Sequence, residues 1–496
     1  MPGIQSPRMR SLLIANRGEI AVRIARTARE RGLVTIAVHS TADRGAPHTE
    51  ACDVAVEIGP PPAGESYLDG RRILEAARAT GADAIHPGYG FLSENADFAE
   101  AVLADGRIWV GPPPSAMRMM GGKIAAREAM VGAGVPVVPG FHGDAGDDAA
   151  FAEGARALGY PVLVKASAGG GGKGMRRVED AGELGAALAG ARREARAAFA
   201  DPAVYLEKAL DRPRHVEMQI FGDAHGGMAA LFERECSIQR RHQKIVEEAP
   251  SSIDDDTRRK MAEAAVAAGR AAGYRGAGTV EFLLDSGGRF YFLEMNTRLQ
   301  VEHAVTEETL GIDLVAGQLE VAEGRPLPPS WRGLSPRGHA IECRVYAEDP
   351  RTFLPRSGRI LVYEEPAGPG VRVDSGVAAG SVVGIDYDPI LAKVIVHAET
   401  RRAAVARMRR ALSRYVILGV TTNLRLLRQI VASDAFEAGV LDTGFLSRLP
   451  VDGPREPPPA AVAAAAWAGG APAAPAGGAA PATADPWREA SGWRSR

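Results

Sequence analysis

The segment Val280 to Asn296 constrains the fold more than any other stretch of the chain. Two apolar, aromatic-rich runs, Val280 to Leu284 and Phe290 to Asn296, flank Asp285-Ser286-Gly287-Gly288, the composition of a β-hairpin. A turn centred on Gly287-Gly288 sets Glu281 directly opposite Glu294. Carboxylates held face to face destabilise a bare hairpin, and a divalent cation between them reverses that. Taken alone, the pair reads better as a solvated acidic edge. Beyond it, however, polar side chains recur at every second position: Glu294, Asn296, Arg298, Gln300, Glu302. Alternate side chains of an extended chain share one face. One ribbon then presents metal-type ligands (Glu294, Asn296), a guanidinium suited to a small planar oxyanion (Arg298), and Glu302, placed to take a proton from whatever Arg298 holds.

Three other elements carry charge toward chemistry. Gly169 to Gly172, closed by Lys173-Gly174, follows the apolar strand Val162-Leu163-Val164-Lys165. Glycines let backbone N–H groups approach phosphate oxygens, and Lys165 beside the run favours a lid over polyphosphate. It is not a Walker A loop, because Gly174 stands where Ser or Thr is needed. Lys123, after Gly121-Gly122, is a further phosphate contact or a surface lysine. The basic segment Gln239 to Pro250, with His242 and Lys244 on one face if extended, is interleaved with Glu247 and Glu248 and lacks nearby aromatics. An anionic small molecule suits it better than nucleic acid. Arg344 lies on another strand, Ile341 to Val345.

The first 120 residues alternate strands (Leu12 to Ala15, Val34 to Val38, Ala84 to His86) with helices (Glu19 to Arg31, Leu68 to Ala79), a parallel sheet with crossover helices. Its ligand loops are Asn16 to Glu19 and His86 to Tyr89, at the carboxyl ends of strands. Further helix is expected over Arg192 to Ala200 and strand over Ala203 to Lys208. At roughly 100–200 residues per domain, 496 residues divide into about three or four. The expected divisions are 9–121, 122–210 and 211–450, then a tail, 451–496. From Pro454 to Pro486, 27 of 33 residues are Ala, Pro or Gly, the composition of a linker. Lys+Arg 59 against Asp+Glu 61 gives no global footprint for nucleic acid or an anionic membrane. Three scattered cysteines and no apolar run long enough to span a bilayer point to a reducing, cytoplasmic setting.

Together these segments resemble biotin carboxylase, the ATP-grasp component of biotin-dependent carboxylases. The motifs that carry the likeness are Ile14 to Ala21, His86 to Asn95, the glycine run, Gln239 to Pro250 and Glu294 to His303, spread over Leu12 to Leu449. The resemblance implies an α/β and α+β chain with an ATP-grasp fold: an N-terminal parallel-sheet domain, a glycine-rich lid subdomain and a C-terminal mixed-sheet domain. It implies that ATP, bicarbonate and biotin give carboxybiotin, ADP and phosphate. Glu281, Glu294 and Asn296 would hold Mg²⁺ or Mn²⁺. Lys123, Lys165 and the lid glycines Gly170, Gly171 and Gly172 would bind phosphates, with Glu207, Lys208, His215, Gln239 and His242 around adenine and ribose. Arg298, Gln300 and Val301 would position bicarbonate beside Lys244, Glu302 would be the base, and Arg344, with Tyr89 nearby, would stabilise the biotin anion.

Ala168, Lys173 and Asp386-Tyr387-Asp388-Pro389 look more like the α subunits of acyl-CoA carboxylases, such as the 3-methylcrotonyl-CoA type. Asp485 to Arg494 resembles the region that follows the linker in those subunits. With no Ala-Met-Lys-Met segment present, biotin is expected on a separate carrier protein, or on the remainder of a longer subunit. The implied partners are that biotin carboxyl carrier and a carboxyltransferase subunit, in a homodimer or larger α/β complex. Two other functions share some of these features: an ATP-grasp ligase forming a different acyl-phosphate, and a nucleotide-binding pseudo-subunit. The first leaves Arg298 to Glu302 and Arg344 without a purpose, and the second leaves the whole charged set without one.

Overall fold

Strand β1 (Ser11–Ile14) is a continuous apolar run because both faces are covered, and Leu12, Leu13 and Ile14 are fully buried. The computed structural model describes residues 8–144, 147–167, 175–199, 201–240, 243–331 and 333–450. Around β1 assemble β2 (Val34–Ser40), β3 (Val54–Gly59), β4 (Ala84–His86) and β5 (Ile108–Trp109), parallel and in the order β3-β2-β1-β4-β5. Helix α1 (Gly18–Glu30) buries Ile20, Ile24 and Ala28 at helical spacing. Helix α2 (Gly70–Thr80) is capped by the Asp69 carboxylate and stopped by Gly81 at φ +66°. The strand order reverses between β1 and β4, which opens a crevice beyond their carboxyl ends. There Asn16 Nδ2 donates to the carbonyls of Pro87 and Tyr89, each at 2.7 Å. Gly88, at φ +64°, is required: a Cβ would lie 2.8 Å from the Asn16 amide.

Helix α3 (Lys123–Gly132) leads to a four-stranded antiparallel sheet, β6 (Gly140–His142), β7 (Val162–Ala166), β8 (Arg176–Val178) and β9 (Val204–Lys208), in the order β6-β9-β7-β8. Gly170, Gly171 and Gly172 fall between β7 and β8, outside the described residues. Helix α4 spans Leu184–Phe199 and so begins well before the expected Arg192. Its buried face includes Leu188, Ala191 and Ala195, and small alanines make a faint apolar stripe in sequence.

The third sheet is antiparallel throughout: β10 (Arg214–Gly222), β11 (Met228–Arg240), β12 (Gln243–Ala249), β13 (Gly276–Leu284), β14 (Phe290–Asn296), β15 (His339–Tyr346), β16 (Val371–Ser375) and β17 (Ile390–Ala398). Its order is β14-β13-β10-β11-β12-β15-β17-β16. One face packs Val216, Met218, Ile220, Val280 and Phe282 on Met261 and Ala265 of the helix Asp255–Ala271. The period of two then forces His215, Glu217, Gln219 and Glu281 onto the other face.

The hairpin β13–β14 has the expected pairing for an unexpected reason. Its loop is Ser286 to Gly288, closed by Asp285 N–H on the Arg289 carbonyl at 2.9 Å, with Gly288 at φ +77°. That loop pairs Phe282 with Phe292, one residue out of the expected register, and a bulge before Glu294 restores Glu281 opposite Glu294. The ribbon does not stay extended to Glu302. Strand β14 stops at Asn296, the chain bends at Thr297-Arg298, and Glu302 is the N-cap of α5 (His303–Leu310). The Gln300 carbonyl accepts from His303 N–H at 3.3 Å and contacts its Nδ1 at 2.7 Å, which makes a turn more favourable than a strand.

Residues 1–449 form one unit and 450–496 another, of which only residue 450 is described. The expected linker and the Asp485 to Arg494 segment therefore lie outside the described residues. Among the described residues no helix is long and apolar enough to cross a membrane.

Candidate active site

A cavity of about 520 Å³ lies where the crevice of the parallel sheet meets the polar face of the large sheet. The first supplies Asn16, Arg17, Gly18, Glu19, Tyr89, Gly90 and Phe91. The second supplies His215, Lys244, Glu281, Glu294, Asn296, Arg298, Gln300, Val301 and Arg344, with Tyr387 and Asp388 at the side. A larger cavity, about 750 Å³ around Asp83, Arg107, Trp109 and Arg275, holds none of these groups. Convergent chemistry, not volume, singles out the smaller one.

Strand register builds its floor. Glu294, Glu281, Glu217 and Arg234 are successive cross-strand neighbours over β14, β13, β10 and β11. Lys244 on β12 reaches into this row. Its Nζ donates to Glu281 Oε1 at 2.7 Å, to Glu302 Oε1 at 2.6 Å, and to Glu217 Oε2. Burial alone would depress the ammonium, but the three carboxylates hold it well above the lysine range. Glu302 is fully buried, and burial favours its neutral form. Lys244, Arg344 and Arg234 nevertheless hold its carboxyl well below the ordinary range. Arg344 NH2 donates to Glu302 Oε2 at 2.9 Å and its Nε to Glu247 Oε1 at 2.5 Å.

Arg298 faces the cavity and ties the alternate residues together. Its guanidinium donates to Asn296 Oδ1 at 3.0 Å and Gln300 Oε1 at 3.1 Å and lies 3.1 Å from the Glu94 carboxylate. Glu281 collects donors from Asn296 at 2.8 Å and Gln300 at 3.1 Å, besides Lys244, and its other oxygen is 2.9 Å from His215 Nε2. Gln239 contacts His215 Nδ1 at 3.3 Å. Tyr89 O–H donates to Glu19 at the opposite wall.

A second group stands beside Glu294. Burial depresses the Lys123 ammonium against the opposing pull of Glu294, near Lys165 and Glu207. Lys165 Nζ is ion-paired with Glu207. The Lys208 ammonium is turned away, onto the carbonyls of Gly159 at 2.8 Å and Tyr160 at 2.9 Å. His242 lies outside the described residues. Glu217, Arg234 and Glu247 belong to the network but not to the sequence-based set. For Glu217 the signal was present: His215, Glu217 and Gln219 alternate with Val216, Met218 and Ile220.

Glu281, Glu294 and Asn296 offer only oxygen donors, which suits a hard cation such as Mg²⁺ or Mn²⁺. Glu294 is exposed, and its carboxylate accepts no hydrogen bond from the described residues. The crowded rim and the Glu281 charge push it up. It is therefore free to bind a cation, while Glu281 already has Lys244 and His215 as counter-charges. Lys244 and His215 thus offset part of the repulsion between the opposed acids. The tighter clusters, His215-Glu217-Glu281 and Glu217-Cys236-Glu302, surround the Lys244 ammonium or abut it, so a metal would compete with it there.

Residues 8–117 match the domain family described as biotin carboxylase, N-terminal domain. Residues 122–330 match the carbamoyl-phosphate synthase L chain, ATP binding domain, and 342–448 match the biotin carboxylase C-terminal domain. The chain is 50% identical over 438 residues to biotin carboxylase 2 of Bacillus subtilis, covering 88% of this chain and 99% of that one. It is 51% identical over 441 residues to the mitochondrial methylcrotonoyl-CoA carboxylase subunit alpha of Oryza sativa subsp. japonica, covering 88% of this chain. It spans only 60% of that relative's length. Among solved structures, biotin carboxylase of Campylobacter jejuni superposes with a TM-score of 0.86 at 44% identity, over 89% of this chain and 99% of that one. The biotin carboxylase domain dimer of the Hydrogenobacter thermophilus 2-oxoglutarate carboxylase, in complex with MgADP, ADP and bicarbonate, gives 0.86 at 42% identity, over 90% and 100%.

Proposed function

This chain belongs to the biotin carboxylase family, with the ATP-grasp fold, and we propose that its cavity carboxylates biotin with bicarbonate and ATP through carboxyphosphate. The observation that carries the mechanism is the convergence of Arg298, Lys244 and Glu302 on one cavity, next to the oxygen donors Glu281, Glu294 and Asn296.

Arg298, Gln300 and Val301 orient bicarbonate between the cation wall and the phosphates. Glu302 starts ionised and weakly basic, because Lys244 and Arg344 hold it. An incoming anion beside Lys244 competes for the same positive charge and so raises the proton affinity of Glu302. Glu302 then takes the bicarbonate proton, and the freed oxygen attacks the γ-phosphorus as ADP leaves. Carboxyphosphate splits into CO2 and phosphate. The phosphate removes the N1 proton of biotin, whose anion attacks CO2 while Arg344 stabilises the developing charge, with Tyr89 on the wall across the cavity. Glu281, Glu294 and Asn296 would hold a divalent cation, which would supply charge screening for the polyphosphate. Lys123, Lys165 and the lid glycines Gly170 to Gly172 hold phosphates. Glu207, Lys208, His215, Gln239 and His242 surround the nucleoside, with Lys208 contributing main chain rather than its committed ammonium.

The division proposed is 9–121, 122–210 and 211–450, and the location of the three larger sheets in chain order supports it. Biotin arrives on a carboxyl carrier, and the product passes to a carboxyltransferase of an acyl-CoA carboxylase, in a homodimer or larger α/β complex. Likeness to the methylcrotonoyl-CoA carboxylase α subunits and to a domain crystallised as a dimer supports this. Three free cysteines support a reducing, cytoplasmic setting. ADP release that requires bicarbonate and rises with free biotin is the expected result. Bicarbonate-dependent release that biotin leaves unchanged would indicate another acyl-phosphate ligase.

A further inference from the structure

The β15–β17 register sets Lys393 directly opposite Arg344. The two cations grip consecutive residues of one turn. Arg344 holds the Glu302 carboxylate at 2.9 Å, and Lys393 Nζ donates to the Val301 carbonyl at 2.6 Å. Unlike Arg344, Lys393 does not line the cavity; it is fully buried behind the turn.

A buried ammonium needs counter-charge, and three carboxylates stand near it: Glu19 and Asp374 at 3.8 Å, Glu342 at 4.0 Å. None is within hydrogen-bond distance. Asp374 is already held by Arg372 at 2.7 Å, and Glu19 by Tyr89. Neither oxygen of the buried Glu342 has a hydrogen-bond partner among the described residues. If charge balance alone governed the ammonium, it would close on Asp374, the one of these acids that is held ionised. Its short bond goes to a neutral carbonyl instead. Asp374, which Arg372 and Lys393 hold ionised against its burial, therefore balances the charge, while the geometry is set by the peptide between Val301 and Glu302.

We propose that Lys393 is a positioning residue: its bond to the Val301 carbonyl fixes the turn Gln300 to Glu302 so that Arg298, Gln300 and Glu302 converge on bicarbonate. This rests on the assignment of the cavity to bicarbonate made above. ATP is held mainly by other segments, so the effect falls on one substrate.

The test uses the full chain carrying Lys393→Met, and Lys393→Met combined with Glu342→Gln, which replaces the carboxyl facing the vacated ammonium with a neutral amide. The expected result is a bicarbonate KM raised about 10-fold or more in both, with the ATP KM within about 2-fold of wild type. A bicarbonate KM within about 2-fold of wild type in the combined variant would overturn the proposal, as would parallel rises for both substrates. Loss of folding by both variants would overturn it as well, since Lys393 would then be a requirement of the fold. Wild-type protein without bicarbonate-dependent turnover would instead overturn the assignment of the cavity.

Discussion

The Arg344 guanidinium donates to the Glu302 carboxylate at 2.9 Å, so the proposed proton acceptor and the proposed stabiliser of the biotin anion form one buried ion pair. Each controls the charge state of the other, and their substitutions should separate the two halves of the reaction.

Glu302→Gln keeps the shape of the side chain and removes the proposed base. Turnover dependent on bicarbonate should fall by about 10²-fold or more, with ATP affinity retained. Steady-state kinetics together with nucleotide binding checks this, and near-normal turnover would remove Glu302 from the base role.

Arg344→Ala should reduce biotin carboxylation more than ATP cleavage. It also strands Glu247 and Glu302, and breaking a buried pair destabilises by about 3–5 kcal/mol. Burial, countered by Arg344, already pushes the Glu247 carboxyl up to about 7. Adding Glu247→Gln should therefore recover part of the lost stability in denaturant titrations without restoring carboxylation. Equal losses of both activities would count against the assignment of Arg344 to the biotin anion.

His86 anchors the crevice loop: its Nδ1 accepts from Gly88 N–H at 3.0 Å, and burial pushes the ring down to about 4. The unfolded chain binds the proton near pH 6.5, the folded one only near 4, so the stability His86 contributes above pH 6.5 is lost as pH falls toward 4. The melting midpoint should drop across that window. His86→Asn keeps an acceptor for Gly88 and should shallow the drop; His48, also pushed down to about 4 by burial, leaves some of it in place. An unchanged slope would contradict this role for His86.

Glu294→Gln and Glu281→Gln should behave differently although the residues face each other. Glu294 is exposed, so its substitution should shift stability by no more than about 0.5 kcal/mol while raising the Mg²⁺ requirement of turnover about 10-fold. Glu281→Gln should lower stability measurably, because it removes a counter-charge from Lys244 and His215. Metal titrations and thermal melts of both variants check the contrast. Glu294→Gln with an unchanged metal requirement would take Glu294 out of the cation site.

Alternation in the sequence set Glu294, Asn296, Arg298 and Gln300 on one face, and all four line one cavity, the first two from a strand and the last two from the bend after it. The local geometry was less legible. A three-residue loop and a bulge cancel in the hairpin register, and neither leaves a mark on Glu281 and Glu294. The turn that lifts Glu302 out of the ribbon depends on tertiary contacts with Lys244, Arg344 and Lys393, each far away in the chain. Arg234 was hidden for the same reason. Its partners Glu217, Gln219, Thr279 and Thr306 meet only after the sheet forms.

The most direct measurement follows oxygen from bicarbonate. Protein, ATP, Mg²⁺ and biotin are incubated with bicarbonate carrying the heavy oxygen isotope, and the released phosphate is analysed by mass. If Glu302 activates bicarbonate to attack the γ-phosphorus, each phosphate carries one heavy oxygen, and Glu302→Gln slows the appearance of labelled phosphate by about 10²-fold or more. Unlabelled phosphate released at the wild-type rate would mean that water is the nucleophile, and the bicarbonate role of this cavity would be wrong.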